Sequence, residues 1–123
     1  MKTYLLDSVI VIDHLNNIQQ ATDFIEKNRD QCGISAITRA EVLTGVEEKD
    51  LLLVKQLLNQ FVLFEITQTI ADLAAQLRKT HGWKLPDAFQ AALAQENKLK
   101  LVTRNTKDFS PQSHPFVVIP YSF

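Results

Sequence analysis

The sequence predicts an α/β protein with a central, mainly parallel sheet, and three observations carry that prediction. Short apolar runs alternate with stretches of helical period along the chain, the pattern of strands covered on both faces by helices. No repeat, low-complexity run or linker interrupts the 123 residues, a length that suits one domain spanning 1–123 with a proper hydrophobic core. Acids stand at the edges of the apolar runs, and in open α/β sheets ligand sites gather just outside the carboxyl ends of the strands.

Taken in order, residues 3–6 read as the first strand. Residues 8–16 are ambiguous, because Val9, Ile10, Val11 and Ile12 are all β-branched and local propensity alone would prolong the strand. Residues 20–28 carry a short helical pattern, and 32–35 a second strand. A helix follows from about Thr38 and ends near Gly45, a suitable C-cap residue. Residues 51–60 are apolar and helical, and 61–64 form a strand. Ile70, Leu73, Ala74 and Leu77 fall at i, i+3, i+4 and i+7, one stripe of an amphipathic helix. The next helix spans 86–97, with Pro86 in its first turn. Residues 99–103 and 116–119 are the last strands, separated by a loop that Pro111, Pro115 and the serines between them mark.

Composition narrows the class. An apolar fraction of 46% and a charged fraction of 22% are those of a soluble globular protein. The single cysteine, Cys32, rules out an internal disulfide and fits a reducing cytoplasm. No run is long enough for a membrane span, and Asp7 and Asp13 break the apolar N-terminus that a signal peptide needs; a cytoplasmic protein with no membrane partner is expected. Net charge is −1, against a protein that coats nucleic acid electrostatically. Apart from four acids considered next, the chain is mildly basic, as a phosphodiester-binding surface or a random distribution would be.

Those acids are Asp7 after the first strand, Glu41 after 33–37, Asp87 opening an alanine-rich helix, and Asp108 after 99–103. Converging carboxylates repel one another and call for a cation. Each also has an ordinary structural reading: Asp7 as an N-cap, Glu41 as the acid of a Thr38-x-x-Glu41 capping box, Asp87 as a partner of the helix dipole, and Asp108 as a turn residue. Singly those readings are favoured; four together in this order are better explained by one site.

In sequence, the neighbourhoods are LDSVIVID at 6–13, ITRAEVLTG at 37–45, PDAFQAALA at 86–94 and VTRNTKDF at 102–109. The ordered set resembles the PIN-domain family, and within it the VapC-type toxins of bacterial toxin–antitoxin pairs. The resemblance runs from about 3 to 109 and implies a three-layer α/β/α fold. It also implies an Mg²⁺-dependent endoribonuclease, with Mn²⁺ able to substitute, a VapB-like antitoxin partner, an RNA substrate and a homodimer. Asp7, Glu41 and Asp87 take the core positions as metal and catalytic acids, and Asp108 the fourth. Two departures stand out: Val9 replaces an Asn common in relatives, and Asn105 stands where some carry an acid, so either Asn105 or Asp108 completes the set.

The chemistry suits these residue types. Mg²⁺ takes oxygen ligands and usually keeps several waters beside one or two carboxylates. Ser8, Thr103 and Asn105 are candidates to bond the acids from behind. Lys84, Arg104 and Lys107 flank the motifs and are phosphate-contact candidates, or ordinary solvated charge. Asp13 is open between a solvated helix acid, a metal-shell residue and an arginine partner. His14, His81 and His114 lack metal-ligand spacing, although His14 lies next to Asp13. Trp83 is read as a core residue before a base-stacking one. The leucines of 51–58 are core, or else surface for a dimer or antitoxin. A PIN-like domain that binds RNA or protein without cutting, or a nuclease for another phosphodiester, is the alternative.

Overall fold

The computed structural model describes residues 2–123. Its element order is β1 (Tyr4–Leu6), α1 (Ser8–Leu15), α2 (Gln19–Lys27), β2 (Cys32–Ser35), α3 (Ala36–Thr44), α4 (Leu51–Leu58), β3 (Val62–Phe64), α5 (Gln68–His81), α6 (Leu85–Glu96), β4 (Lys100–Val102) and β5 (Val117–Val118). The five strands form one sheet in the order β3-β2-β1-β4-β5, every pair parallel.

The ambiguous run after β1 is helical. Asp7 stops the strand by capping α1, its carboxylate accepting the Ser8 amide at 2.8 Å, and Ile10 and Val11 are buried. A good cap and a buried face together override the weak β preference of branched residues. α3 begins at Ala36, two residues before the expected start. Its N-cap is Ser35, whose Oγ accepts the Thr38 amide at 2.9 Å. The Thr38-x-x-Glu41 capping box is therefore corrected: Thr38 is already inside the helix, and Glu41 lies beyond its first turn. The cap was missed because Ser35 is also the last residue of β2.

Alternation along the strands builds two cores. Leu5, Leu101 and Val117 pack with Ile70 and Ala74 of α5, Ala91 and Leu93 of α6, and Trp83 between the two helices. Leu6, Ile34 and Val102 face the other way, onto Ile10, Ile25, Val42, Val54 and Leu58 of α1–α4. The result is the three-layer α/β/α arrangement. Ala88, Ala91, Ala92 and Ala94 are fully buried, and their small side chains let α6 lie close to its neighbours. α4 divides its apolar residues: Val54 and Leu58 join the core, whereas Leu52 and Leu53 are exposed. Gly82, at φ 72°, ends α5 in the left-handed conformation that glycine adopts without strain.

Strand order decides where a site can form. The chain moves outward from β1 to β2 and β3, then returns to place β4 on the other side of β1. Strand order thus reverses beside β1, and the crevice of such a sheet opens at that point, beyond the strand carboxyl ends. Asp7 follows β1 there, and Thr103, Arg104 and Asn105 follow β4.

Gly33 tests how tightly this frame is packed. A Cβ at that position would meet the Phe64 ring at 2.5 Å and the Val62 carbonyl at 3.1 Å. Gly33→Ala should destabilise the protein by about 1–3 kcal/mol, the range for overpacked interiors, read as a lower urea midpoint with an unchanged slope. An unaltered midpoint would mean that the aromatic ring moves aside freely.

Candidate active site

Asp7 is the most heavily bonded of the acids. Besides the Ser8 amide it accepts from Gln90 Nε2 at 3.2 Å and from Thr103 Oγ1 at 2.7 Å. α1, α6 and the end of β4 therefore meet on one buried carboxylate. Glu41 projects from α3 toward α1 and accepts the Ser8 hydroxyl at 2.5 Å. Ser8 thus touches two acids, Asp7 through its amide and Glu41 through its side chain. Asp87 sits in the first turn of α6. The three acids line one open cavity of about 290 Å³, together with Ser8, Val9, Arg104 and Asn105.

Asp108 stands behind this cavity. Asn105 donates Nδ2 to its Oδ2 at 3.1 Å, and the Asp108 amide donates to Asn105 Oδ1 at 3.3 Å. Asn105 lines the cavity and Asp108 does not; the two are joined as a hydrogen-bonded pair. Val9 gives the wall an apolar spot.

The acids act on one another through charge. Burial raises the Asp87 carboxyl first, and the negative charges of Asp7, Asp108 and Glu41 raise it further, against the opposing pull of Lys84; the result is a pKa of about 6. Such a shift marks a place where added positive charge is favoured. Among the described residues no three His, Cys, Asp or Glu side chains already form a metal cage. Oxygen donors spaced around an open cavity fit Mg²⁺, which retains waters, better than Zn²⁺, which wants a closed tetrahedron of nitrogen and sulfur.

The remaining candidates divide. Asp13, 6% exposed, is an arginine partner: it accepts Arg104 Nε at 2.7 Å and Nη2 at 3.1 Å, and the Tyr121 hydroxyl at 2.7 Å. Burial pushes its pKa up, but these hydrogen bonds outweigh burial and hold it below the usual carboxylate value. Lys84 and Lys107 are exposed. His14 bonds Thr22 across to α2 at 2.8 Å and does not line the cavity. Trp83, 4% exposed, is a core residue. It stacks on His81, meets the Phe109 ring at a tilt and donates its indole N–H to the Asp108 carbonyl at 3.1 Å, steadying the loop that carries Asp108.

Sequence reading missed Gln90 and Thr38. Gln90, 1% exposed, donates to both Asp7 and Thr38 Oγ1, the latter at 2.7 Å, while its Oε1 has no partner among the described residues. The signal was present, for Gln90 is the polar residue in the apolar run 88–94 and lies three positions after Asp87, on the same helix face.

Because the native pKa of Asp87 lies above its unfolded value of 3.8, the native state binds the extra proton. The stability so gained is complete below about pH 4 and is lost as pH rises through about 6. Metal-free Asp87→Asn should therefore melt like the wild type near pH 4 and gain on it progressively up to pH 8. The gain there should be on the order of 1 kcal/mol, or about 3 °C, once partial exposure is allowed for. A pH-independent difference between the two melts would contradict the charge account.

The fold and the cavity can be set beside known proteins. The PIN domain model matches residues 4–111. Over 98% of its length the chain is 37% identical to a chain of a toxin–antitoxin complex from Klebsiella pneumoniae, all of which is covered, with a TM-score of 0.91. It shares the fold of FitAcB from Neisseria gonorrhoeae at 23% identity and TM-score 0.78, covering 98% and 100% of the two chains. It also shares that of DNA-bound VapBC from Salmonella typhimurium at 21% and 0.78, covering 89% and 91%. Comparison with curated protein sequences gave no match. With the family model spanning most of its length and a 37% identical relative covering nearly all of it, this chain belongs to the PIN domain family.

Proposed function

We propose that this protein is a metal-dependent endoribonuclease of the VapC type, the toxin of a toxin–antitoxin pair. The observation that carries the reading is the convergence of Asp7, Glu41 and Asp87 on one open cavity, with Asp87 destabilised as an anion by the others. The 37% identity to a chain from a toxin–antitoxin complex supports the toxin assignment and a VapB-like antitoxin as partner. Leu52 and Leu53, left exposed on α4, suit contact with an antitoxin or a second copy in a homodimer. No helix among the described residues is long and apolar enough to cross a membrane, in keeping with a cytoplasmic RNA substrate.

Asp7, Glu41 and Asp87 are the residues to hold Mg²⁺ or Mn²⁺, with Asn105 and Asp108 beside them. Bound there, the ion supplies positive charge against phosphate oxygens and makes water more acidic. The protein's own part follows from its contacts. Gln90, Thr103 and the Ser8 amide fix Asp7 in one orientation, and Ser8 Oγ fixes Glu41. Asp87, whose carboxyl is raised to about 6 by burial and by the neighbouring carboxylates, is the acid whose charge a bound cation would favour most. Lys84 and Lys107 offer exposed positive charge to the flanking RNA backbone.

RNA should be cut with Mg²⁺ or Mn²⁺ and left intact with EDTA, and DNA should be spared. Cleavage in EDTA would remove the metal mechanism, and DNA cleavage would move the substrate. Binding without any cleavage would favour the rival reading, a non-catalytic PIN domain, to which the apolar Val9 in the wall lends some support. Glu41→Gln should stay folded, since an amide oxygen still accepts the Ser8 hydroxyl, yet lose cleavage by about 100-fold or more, as expected for a site acid. Full activity in that variant would exclude Glu41 from the chemistry.

Lys84→Ala with Lys107→Ala should weaken RNA binding uniformly across sequences and flatten its salt dependence by about one to two units of slope. An unchanged slope in binding titrations would return both to ordinary surface charge.

A further inference from the structure

Arg104 is the cation in the wall of the acid cavity, and it is restrained on more than one side. An arginine beside several carboxylates would ordinarily swing onto them, neutralising the site and blocking it. Here Asp13 takes its Nε and Nη2 at 2.7 and 3.1 Å, so that one edge of the planar guanidinium is occupied and Nη1 remains for a further acceptor. Tyr121 donates its hydroxyl to the same Asp13 oxygen at 2.7 Å, fixing the carboxylate that fixes the arginine. The Phe123 ring lies over the guanidinium, 4.7 Å from its carbon to the ring centroid, and packs on Tyr121 at 5.6 Å. Phe123 is 74% exposed, so core burial does not account for its position, whereas a cation held against its face does.

We propose that Asp13, Tyr121 and Phe123 are positioning residues that hold Arg104 at the rim of the acid cavity, with its remaining edge toward a phosphate of the RNA backbone. The inference rests on the ribonuclease reading for the phosphate. The holding of Arg104 itself stands on contacts within this chain. Tyr121 and Phe123 follow β5, the edge strand next to β4, so the sheet brings the end of the described chain back to the loop after β4. A planar guanidinium anchored along one edge is suited to gripping a phosphate with its other donors.

The test has two arms on the full-length protein. In the first, the Arg104 Nε–H is followed by nitrogen–proton NMR without RNA. It should exchange slowly and carry a ring-current shift in the wild type. The shift should vanish in Phe123→Leu and return in Phe123→Trp, and exchange should quicken in Tyr121→Phe. An Nε–H signal indifferent to all three changes overturns the holding role. In the second arm, KM and kcat for RNA cleavage are measured, with thermal melts confirming the fold. Arg104→Ala should raise KM about tenfold, as for loss of a charge-assisted contact. Phe123→Leu should raise it about threefold, the scale of an exposed cation–π contact, and Phe123→Trp should restore it. In the Arg104→Ala background, Tyr121→Phe and Phe123→Leu should add nothing further. Full additivity there would overturn the proposal, because the tail would then act independently of the arginine. A wild type that neither binds nor cuts RNA removes the ribonuclease reading and the phosphate role with it, while the NMR arm still decides whether the tail holds Arg104.

Discussion

The structure turns on the buried carboxylate of Asp7. A charge taken out of water is costly unless hydrogen bonds replace its hydration. Here the replacements come from three separate elements: the Ser8 amide at the start of α1, Gln90 on α6 and Thr103 at the end of β4. Meeting that requirement ends β1, starts α1 and fixes α6 against the sheet. One residue thus serves both the fold and the cavity, and its structural reading as an N-cap and its functional reading do not compete.

The acids differ in how well their charge is supported. Asp7 has its three donors and Glu41 has Ser8, whereas no protein donor reaches the Asp87 side chain among the described residues. Asp87 has the favourable end of the α6 dipole and distant help from Lys84, which is not enough against burial and three like charges. Asp13 is the contrast: itself buried, it is bonded by Arg104 and Tyr121, and those bonds hold its carboxyl below the usual carboxylate value. A balanced pair and an unbalanced cluster stand side by side. The unbalanced one faces the cavity, so the electrostatic strain sits where added positive charge would relieve it.

Packing gives this arrangement its rigidity. Each acid sits at the junction of a strand end and a helix start or on an adjoining helix turn, and the helices are seated by the two cores on either face of the sheet. Trp83 extends the same logic to the loop after β4, where its N–H bond to the Asp108 carbonyl and its tilted ring contact with Phe109 fasten a segment with little regular structure of its own. The groups that would do the chemistry are held by groups that take no part in it.

The sequence by itself determined the α/β class, the alternation of elements and the acids at their edges, because apolar periodicity and strand-end placement are local properties that survive in one dimension. Asp7, Glu41, Asp87 and the Asn105–Asp108 loop were all legible in that way. Tertiary structure decided what depends on distance across the chain. It made the branched run after β1 helical, since burial of Ile10 and Val11 outweighs propensity. It moved the α3 cap to Ser35 and so freed Glu41 to face Ser8, an interaction across two helices that no local motif announces. It also paired Asp13 with Arg104 and brought Tyr121 and Phe123 to them, because strand order places β5 beside β4, and that order is set by how the whole chain packs rather than by any segment of it.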